Sequence, residues 1–281
     1  MEIIVSKSIG FCFGVRRAIE LAENTDKKEG HVYTLGPIIH NPQMIEKLEK
    51  QNVKSINDLS EVEDDSIIII RAHGVEPRTI EEIKNRNLKI VDGTCPYVKR
   101  VQLLAQKLKN EGYNVVIIGK KDHPEVIGIN GYTNNKAIIV KDKTEVGKIP
   151  LDSKVGVVIQ TTQNIEEVKE ILSLIFKKTS EIRVFNTICS VVRDRQQDVK
   201  KIAKNVDLML VIGGKNSANT RKLEEISSKI IKTHHIETAN EINKNWFFGV
   251  KRVGVTSGTS TPDFIIKEIL TKLTKFANFH L

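Results

Sequence analysis

The chain has 281 residues, of which 40% are hydrophobic and 28% are charged, and its formal net charge is +9. That length can bury a full core, whereas apolar runs such as Ile67–Ile70 are too short to cross a bilayer. The basic residues are scattered and are not interleaved with aromatic residues, which argues against specific nucleic-acid binding. No basic segment followed by an apolar one marks the N-terminus, so we expect a cytoplasmic protein.

Short apolar, β-branched runs alternate with amphipathic segments in chain order. Each run ends in a polar loop, and nine such loops follow one another: FCFGVRR, YTLGPIIHNP, IIIIRAHGVEP, TCPYVKR, VVIIGKKDHPE, GVVIQTTQN, CSVVRD, LMLVIGGKNSANT and RVGVTSGTSTPD. All but the DHPE loop lead into a clear helical pattern. The chain is therefore predicted to contain nine strand-to-helix units.

The three cysteines divide these units into three groups. Cys12, Cys95 and Cys189 are each followed by two variable residues, a valine and a cation. His40, His123 and Ser217 each stand 28 residues after one of the cysteines. We interpret this spacing as an internal repeat with domains at residues 1–91, 92–181 and 182–281.

Alternating strands and helices of this kind predict an α/β fold with parallel sheets covered by helices. Functional loops in such sheets lie beyond the carboxyl ends of the strands, which is where all three cysteines stand. The sequence therefore predicts three similar α/β domains in a pseudo-threefold trefoil, with the three thiols meeting at its centre.

Three thiolates at helix N-termini predict a soft metal or an iron–sulfur centre, because the helix dipole favours the thiolate form. Three cysteines cannot all pair with one another, and the expected cytoplasmic setting disfavours disulfides. A zinc ion on three protein ligands keeps one open position, and a cluster held by three cysteines keeps one iron open. Both centres remain possible from the residues alone.

The other loops carry hydrogen-bond donors, several of them at predicted helix starts, where anions bind. They predict a pocket for a phosphate or diphosphate, lined by His40, His73, His123, Thr161, Thr162, Ser217, Asn219 and Ser260. Glu125, in the segment DHPEV, is the predicted proton donor, because a bound diphosphate would disfavour its ionised form. Asp122 is the nearest rival acid.

These motifs together resemble 4-hydroxy-3-methylbut-2-enyl diphosphate reductases along essentially the whole chain. The resemblance implies three α/β domains around a [4Fe–4S] cluster with Cys12, Cys95 and Cys189 as its ligands. It implies a diphosphate pocket at His40, His73, His123, Ser217, Asn219 and Ser260. It also implies that Glu125 is the proton donor and that Thr161 lies beside the substrate hydroxyl. Many members carry a second serine after Ser217, where this chain has Ala218.

The implied reaction is the reductive dehydroxylation of 4-hydroxy-3-methylbut-2-enyl diphosphate to isopentenyl and dimethylallyl diphosphate. No flavin or nicotinamide motif is visible, so we expect an acidic ferredoxin or flavodoxin to deliver electrons at the basic surface. Two alternatives are a zinc hydrolase of a phosphorylated substrate and a non-catalytic iron–sulfur sensor. Neither a membrane nor a specific nucleic acid is expected as a partner.

Overall fold

The computed structural model describes residues 1–26, 30–39 and 41–278. His40, one of the predicted pocket residues, lies outside the described residues. The chain divides into two compact units, each described here by itself. Unit 1 comprises Met1–Val15, Ile39–Met44 and Ser190–Leu281, and unit 2 comprises Arg16–Ile38 and Ile45–Cys189.

Unit 1 is built on one parallel sheet of four strands. These are β1 (Glu2–Val5), β10 (Leu208–Ile212), β11 (Thr233–Ile236) and β12 (Arg252–Ser257), in the spatial order β1-β12-β10-β11. The helices α7 (Ser190–Ala203), α8 (Ala218–Ser228) and α9 (Asp263–Asn278) accompany it. Leu210 belongs to the apolar cluster on one face of the sheet and Met209 to that on the other, so both faces are covered.

Unit 2 contains two more four-stranded parallel sheets. The first has the order β3-β2-β4-β5 and consists of β2 (Val32–Leu35), β3 (Val53–Ile56), β4 (Ile67–Ile70) and β5 (Lys89–Asp92). The second has the order β7-β6-β8-β9 and consists of β6 (Asn114–Ile118), β7 (Ile138–Val140), β8 (Ser153–Ile159) and β9 (Thr179–Val184). The predicted α/β class with parallel sheets is confirmed.

Six helices connect the strands that precede α7. They are α1 (Phe13–Asn24), α2 (Pro42–Glu49), α3 (Pro77–Asn85), α4 (Pro96–Asn110), α5 (Pro124–Gly131) and α6 (Ile165–Phe176). None of the helices in the described part of the chain combines the length and the apolar character that a bilayer span requires.

The three sheets share one strand order, in which the strand that precedes a cysteine forms one edge. β1 precedes Cys12, β5 precedes Cys95 and β9 precedes Cys189. β1 pairs with β12, so the strand before the first cysteine completes the sheet formed by the last strands of the chain. The domain boundaries at 91/92 and 181/182 remain a prediction.

The structure has three strands that the sequence pattern did not predict, since it contains twelve among its described residues where nine were expected. The additional strands are β3, β7 and β11, one at the far edge of each sheet. Each is only three or four residues long and leads into a 3-10 helix instead of an amphipathic α-helix. The helical periodicity that marks the other units is therefore missing after these strands.

A helix also follows the DHPE loop, where no clear helical pattern was predicted. Helix α5 begins at Pro124, and the His123 side chain caps it by accepting a hydrogen bond from the Glu125 backbone N–H. Its sequence, PEVIGING, contains two glycines and has no polar face, so the apolar period is hidden. The buried residues Val126 and Ile129 pack it into the core of unit 2.

Candidate active site

The three cysteines occupy equivalent positions at the start of helices. Each follows an edge strand and stands immediately before α1, α4 or α7. The backbone N–H of each cysteine donates to a carbonyl in the loop after the neighbouring strand. The acceptors are Thr259 for Cys12 at 3.1 Å, Ala72 for Cys95 at 3.0 Å and Thr161 for Cys189 at 3.0 Å. The same local backbone geometry thus occurs at all three cysteines.

The cysteine side chains have the chemistry that a soft metal centre needs. All three are partly exposed and none forms a disulfide. Each stands at a helix N-terminus, where the first backbone N–H groups have no acceptor within the helix. Among its described residues, neither unit has three His, Cys, Asp or Glu side chains grouped as ligands of a single metal ion. The thiol donor set fits an iron–sulfur cluster, whose ligands bind different irons.

Glu125 and Thr161 form a buried pair in unit 2. Glu125 is 2% exposed, and one carboxylate oxygen accepts from the Thr161 backbone N–H at 2.7 Å. The other oxygen accepts from the Thr161 hydroxyl at 2.8 Å. Burial raises the pKa of Glu125 to about 7, although the two hydrogen bonds from Thr161 act to lower it. The carboxyl group can therefore hold and release a proton near neutral pH.

Two of the predicted histidines lie close together in unit 2. The ring centroids of His73 and His123 are 5.5 Å apart, in an edge-to-face arrangement. Nδ1 of His123 accepts from the Glu125 N–H at 3.2 Å, so the proton of the neutral ring resides on Nε2. At the start of α5, His123 thus presents its Nε2–H as a hydrogen-bond donor that suits an anion. Asp122, the rival acid, is exposed, and its carboxyl group is not part of the buried pair with Thr161.

Ser217, Asn219 and Ser260 lie in unit 1, beyond the neighbouring strands β10 and β12. Ser217 and Ser260 stand in the loops after these strands, and Asn219 belongs to the first turn of α8. Ser217 caps α8 by accepting from the Thr220 N–H. Asn219 is 3% exposed and Ser260 is 7% exposed. The amide of Asn219 and the hydroxyl of Ser260 are buried and have no hydrogen-bond partner among the residues that the structure describes. Buried polar groups are normally satisfied, so these two fit an absent polar ligand.

Thr220 is a residue of this region that sequence reasoning missed. It is fully buried, and within the described part of the chain its hydroxyl has no hydrogen-bond partner. A Cβ at Gly258 would collide with that hydroxyl, so glycine is required where the loop after β12 crosses α8. The signal in the sequence was the segment GKNSANT, in which Thr220 stands directly after the predicted Asn219. The two loops are therefore packed together around Thr220.

A protein family and several named proteins are similar to this chain over nearly its whole length. Residues 3–274 match the family described as LytB protein. The chain is 47% identical over 276 residues to the 4-hydroxy-3-methylbut-2-enyl diphosphate reductase of Geotalea uraniireducens, and this alignment covers 98% of both chains. It is 46% identical over 278 residues to the same-named protein of Aquifex aeolicus, with 97% of this chain and 96% of that one covered.

Two solved structures are similar in fold. One is described as (E)-4-hydroxy-3-methyl-but-2-enyl diphosphate reductase, the terminal enzyme of the non-mevalonate pathway. It is 46% identical with a TM-score of 0.72, over 98% of this chain and 100% of that one. The corresponding reductase of Plasmodium falciparum is 31% identical with a TM-score of 0.92, over 97% of this chain and 88% of that one. With a family match over nearly its whole length and relatives of this identity, the chain belongs to the LytB family.

Proposed function

We propose that this chain reduces 4-hydroxy-3-methylbut-2-enyl diphosphate to isopentenyl and dimethylallyl diphosphate. The relatives that cover nearly the whole chain carry the name of this reductase. The zinc hydrolase and the sensor considered from the sequence receive no support from them. The observation that carries the proposal is the buried Glu125–Thr161 pair, because its carboxyl group has a pKa of about 7. The reaction needs a proton donor that is still protonated near neutral pH.

Cys12, Cys95 and Cys189 are the proposed ligands of a [4Fe–4S] cluster. When bound, the cluster supplies electron transfer and one iron without a protein ligand, which acts as a Lewis acid. The three equivalent helix starts support this ligand set, as do thiols that are free of disulfides. Cysteines outside disulfides also fit the reducing conditions of the cytoplasm, where we place the protein.

The diphosphate is proposed to bind His40, His73, His123, Ser217, Asn219 and Ser260. In unit 2 the Nε2–H of His123 is suited to a phosphate oxygen, and His73 lies beside it. In unit 1 the contributions come from Ser217, Asn219 and Ser260. His40, which lies outside the described residues, completes the proposed set. A diphosphate would satisfy the buried hydroxyl of Ser260 and the buried amide of Asn219.

Glu125 is the proposed proton donor and Thr161 the residue beside the substrate hydroxyl. The reaction breaks the allylic C–O bond, consumes two electrons and two protons, forms one C–H bond and releases water. When Glu125 is protonated, it can donate to the Thr161 hydroxyl oxygen across this contact, and the Thr161 O–H can then donate to the leaving oxygen of the substrate, which connects the acid to that oxygen. Burial of Glu125 excludes water from this connection and keeps the carboxyl group protonated up to about pH 7.

The electrons are proposed to come from a small acidic protein of the ferredoxin or flavodoxin type. The net charge of +9 favours association with an acidic partner. Increasing ionic strength should then slow the electron transfer, because surface charges are screened beyond about 10 Å at 0.1 M salt. Rates that do not respond to salt would contradict this docking mode.

Purification without oxygen tests the proposed function directly. We expect broad absorbance in the blue and about four irons and four sulfides per chain, with reductase activity toward the allylic diphosphate. A protein that remains colourless after anaerobic reconstitution would overturn the cluster assignment. Activity after zinc loading in air would indicate the hydrolase. A cluster-containing protein without turnover would indicate the sensor.

A further inference from the structure

Two arginines contact the segments that lead into cysteines, and neither belongs to the site described above. Arg195, in α7, donates from Nη1 to the Ser257 carbonyl at 2.9 Å and from Nη2 to the Gly10 carbonyl at 2.6 Å. Arg17, in α1, donates to the carbonyls of Thr94 at 3.3 Å and Asp92 at 3.0 Å. Gly10 stands two residues before Cys12, and Thr94 stands directly before Cys95.

Arg195 acts from inside unit 1. It is 2% exposed, so its guanidinium group is shielded from water and binds two main-chain carbonyls instead. Gly10 has a φ of +82°, and its N–H donates to the Ser257 hydroxyl at 2.8 Å. Both hydrogen-bonding groups of this turn are therefore held, the carbonyl by Arg195 and the N–H by Ser257.

The same helix also holds the beginning of that segment. One turn after Arg195, Asp198 accepts from the Ser6 hydroxyl at 2.6 Å and from the Lys7 N–H at 3.1 Å. Two side chains of α7 thus bind both ends of the stretch between β1 and Cys12. The position of Cys12 follows from this attachment, because only Phe11 separates Gly10 from the cysteine.

In unit 2, Arg17 binds the segment before Cys95 in the corresponding way. Its two carbonyl acceptors flank Gly93, at which a Cβ would collide with the Ile70 carbonyl of strand β4. The Thr94 N–H donates to the Asp92 carboxylate at 3.0 Å, and Lys99 binds that carboxylate at 2.7 Å. The segment before Cys95 therefore has little freedom once Arg17 is in place.

The repeat shows that a cation at the position of Arg195 is not a general requirement of packing. The residues six positions after each cysteine are Ala18, Val101 and Arg195, and all three are buried. An apolar side chain fills this position in two helices, whereas the third has a charge that is costly to bury. A role in holding the loop before Cys12 accounts for that exception.

We propose that Arg195 and Arg17 are positioning residues that set the backbone of Cys12 and of Cys95, respectively, for cluster binding. Each arginine lies on a helix that follows one cysteine and holds the segment before another. The inference rests on the proposed function insofar as it names the cluster. The restraint on the two loops is a property of the chain alone. Outer groups that orient ligands in this way typically change metal affinity when they are removed.

The test compares Arg195→Met with Arg17→Met by two readouts. The first is amide hydrogen exchange in the cluster-free chain. Arg195→Met should accelerate exchange about tenfold or more in the segment 6–12 and leave 92–95 unchanged, and Arg17→Met should do the reverse. The second is the rate at which a chelator removes iron from the reconstituted protein, which should rise about tenfold or more in both variants.

A matched control is available in unit 2. Arg86 likewise binds two main-chain carbonyls, those of Leu59 and Val62. Neither carbonyl belongs to a segment that leads directly into a cysteine. Arg86→Met should alter neither cysteine segment and should leave iron loss at the wild-type rate. If Arg195→Met does not fold, Ser257→Ala removes the acceptor of the Gly10 N–H and should accelerate exchange in the same segment.

The outcomes separate the two proposals. A wild-type chain that binds no iron would overturn the proposed function, while hydrogen exchange would still test the arginines. Arg195→Met and Arg17→Met proteins that keep both exchange and iron retention at the level of Arg86→Met would overturn the inference. Equal acceleration in both segments by either variant would also overturn it, because it would reveal general destabilisation in place of local positioning.

Discussion

Thr161 binds both oxygens of the Glu125 carboxyl group, one through its backbone N–H at 2.7 Å and the other through its hydroxyl at 2.8 Å. The Thr161 carbonyl also accepts the N–H of Cys189 at 3.0 Å. A single residue therefore connects the proposed acid to a proposed cluster ligand. This relationship ties the protonation of Glu125 to the geometry of one cysteine loop.

Replacing Glu125 with Gln should lower kcat by about 10²–10⁴-fold, because a positioned general acid contributes that much to a rate. The substrate KM and the iron content should stay close to wild type, since the amide keeps the size of the side chain. Steady-state assays with reduced methyl viologen, together with iron analysis, measure these quantities. The control is Asp122→Asn, an exposed neighbour that should remain active. Full activity in Glu125→Gln would contradict the assigned role.

Stability should depend on pH through Glu125. Its pKa rises from an ordinary value of 4.5 to about 7, chiefly because of burial, so the folded chain binds an extra proton between those values. The free energy of unfolding should therefore fall as pH rises from 4.5 through 7, by about 3 kcal/mol for this group. Thermal unfolding of wild type and Glu125→Gln between pH 5 and 8 measures the difference. Parallel pH profiles for the two proteins would contradict it.

Thr161→Val should raise the pKa of Glu125 further, because the lost hydroxyl bond favours the ionised form. The alkaline limb of the kcat profile should shift to higher pH, and kcat should fall about tenfold through loss of one hydrogen bond. Thr161→Ser keeps the hydroxyl and should restore both the limb and the rate. A Thr161→Val profile that coincides with wild type would exclude the hydroxyl from proton transfer.

Ser260→Ala should weaken substrate binding without loss of stability. The Ser260 hydroxyl is buried and finds no partner in residues 1–26, 30–39 and 41–278, so its removal should leave the free energy of unfolding unchanged or raise it by about 1 kcal/mol. The KM for the diphosphate substrate should rise about tenfold, because a hydrogen bond to a charged group is lost. Chemical unfolding and steady-state kinetics give the two quantities.

The control for that change is Ser227→Ala, in the same unit. Ser227 is fully buried, and its hydroxyl donates to the Leu223 carbonyl at 2.9 Å. This variant should lose about 1 kcal/mol of stability and keep its KM. A rise in KM for Ser227→Ala equal to that for Ser260→Ala would show that the binding loops respond to any loss of packing.

Ala218→Ser should strengthen diphosphate binding. Ala218 is the first residue of α8, between the cap Ser217 and the buried Asn219. A hydroxyl at this helix start adds one donor to an anion and should lower KM by about three- to tenfold. Inorganic diphosphate as a competitive inhibitor provides the measurement, with its inhibition constant falling in parallel. An unchanged constant would place the anion away from this end of α8.

Short-range periodicity and repeated motifs in the sequence were enough to predict the fold class and most of the strands. The threefold spacing of the cysteines, the nine principal strands and the α/β class all follow from periodicities of a few residues and from repeated motifs. Local periodicity could not identify the edge strands β3, β7 and β11, because short strands followed by 3-10 turns carry no distinctive apolar pattern. It also missed α5, whose two glycines and lack of separate polar and apolar faces hide the helical repeat.

Tertiary structure decided the relationships between residues that are far apart in the chain. The sequence identified Glu125 as an acid but could not show that Thr161 binds both of its oxygens or that burial raises its pKa. Nor could it show that β1 pairs with β12, or that Arg195 holds the turn at Gly10. The residue types and their local order are written in the sequence. Desolvation and long-range hydrogen bonds arise only when distant segments pack together, and these set the protonation of the proposed acid and the restraint on the cysteine loops.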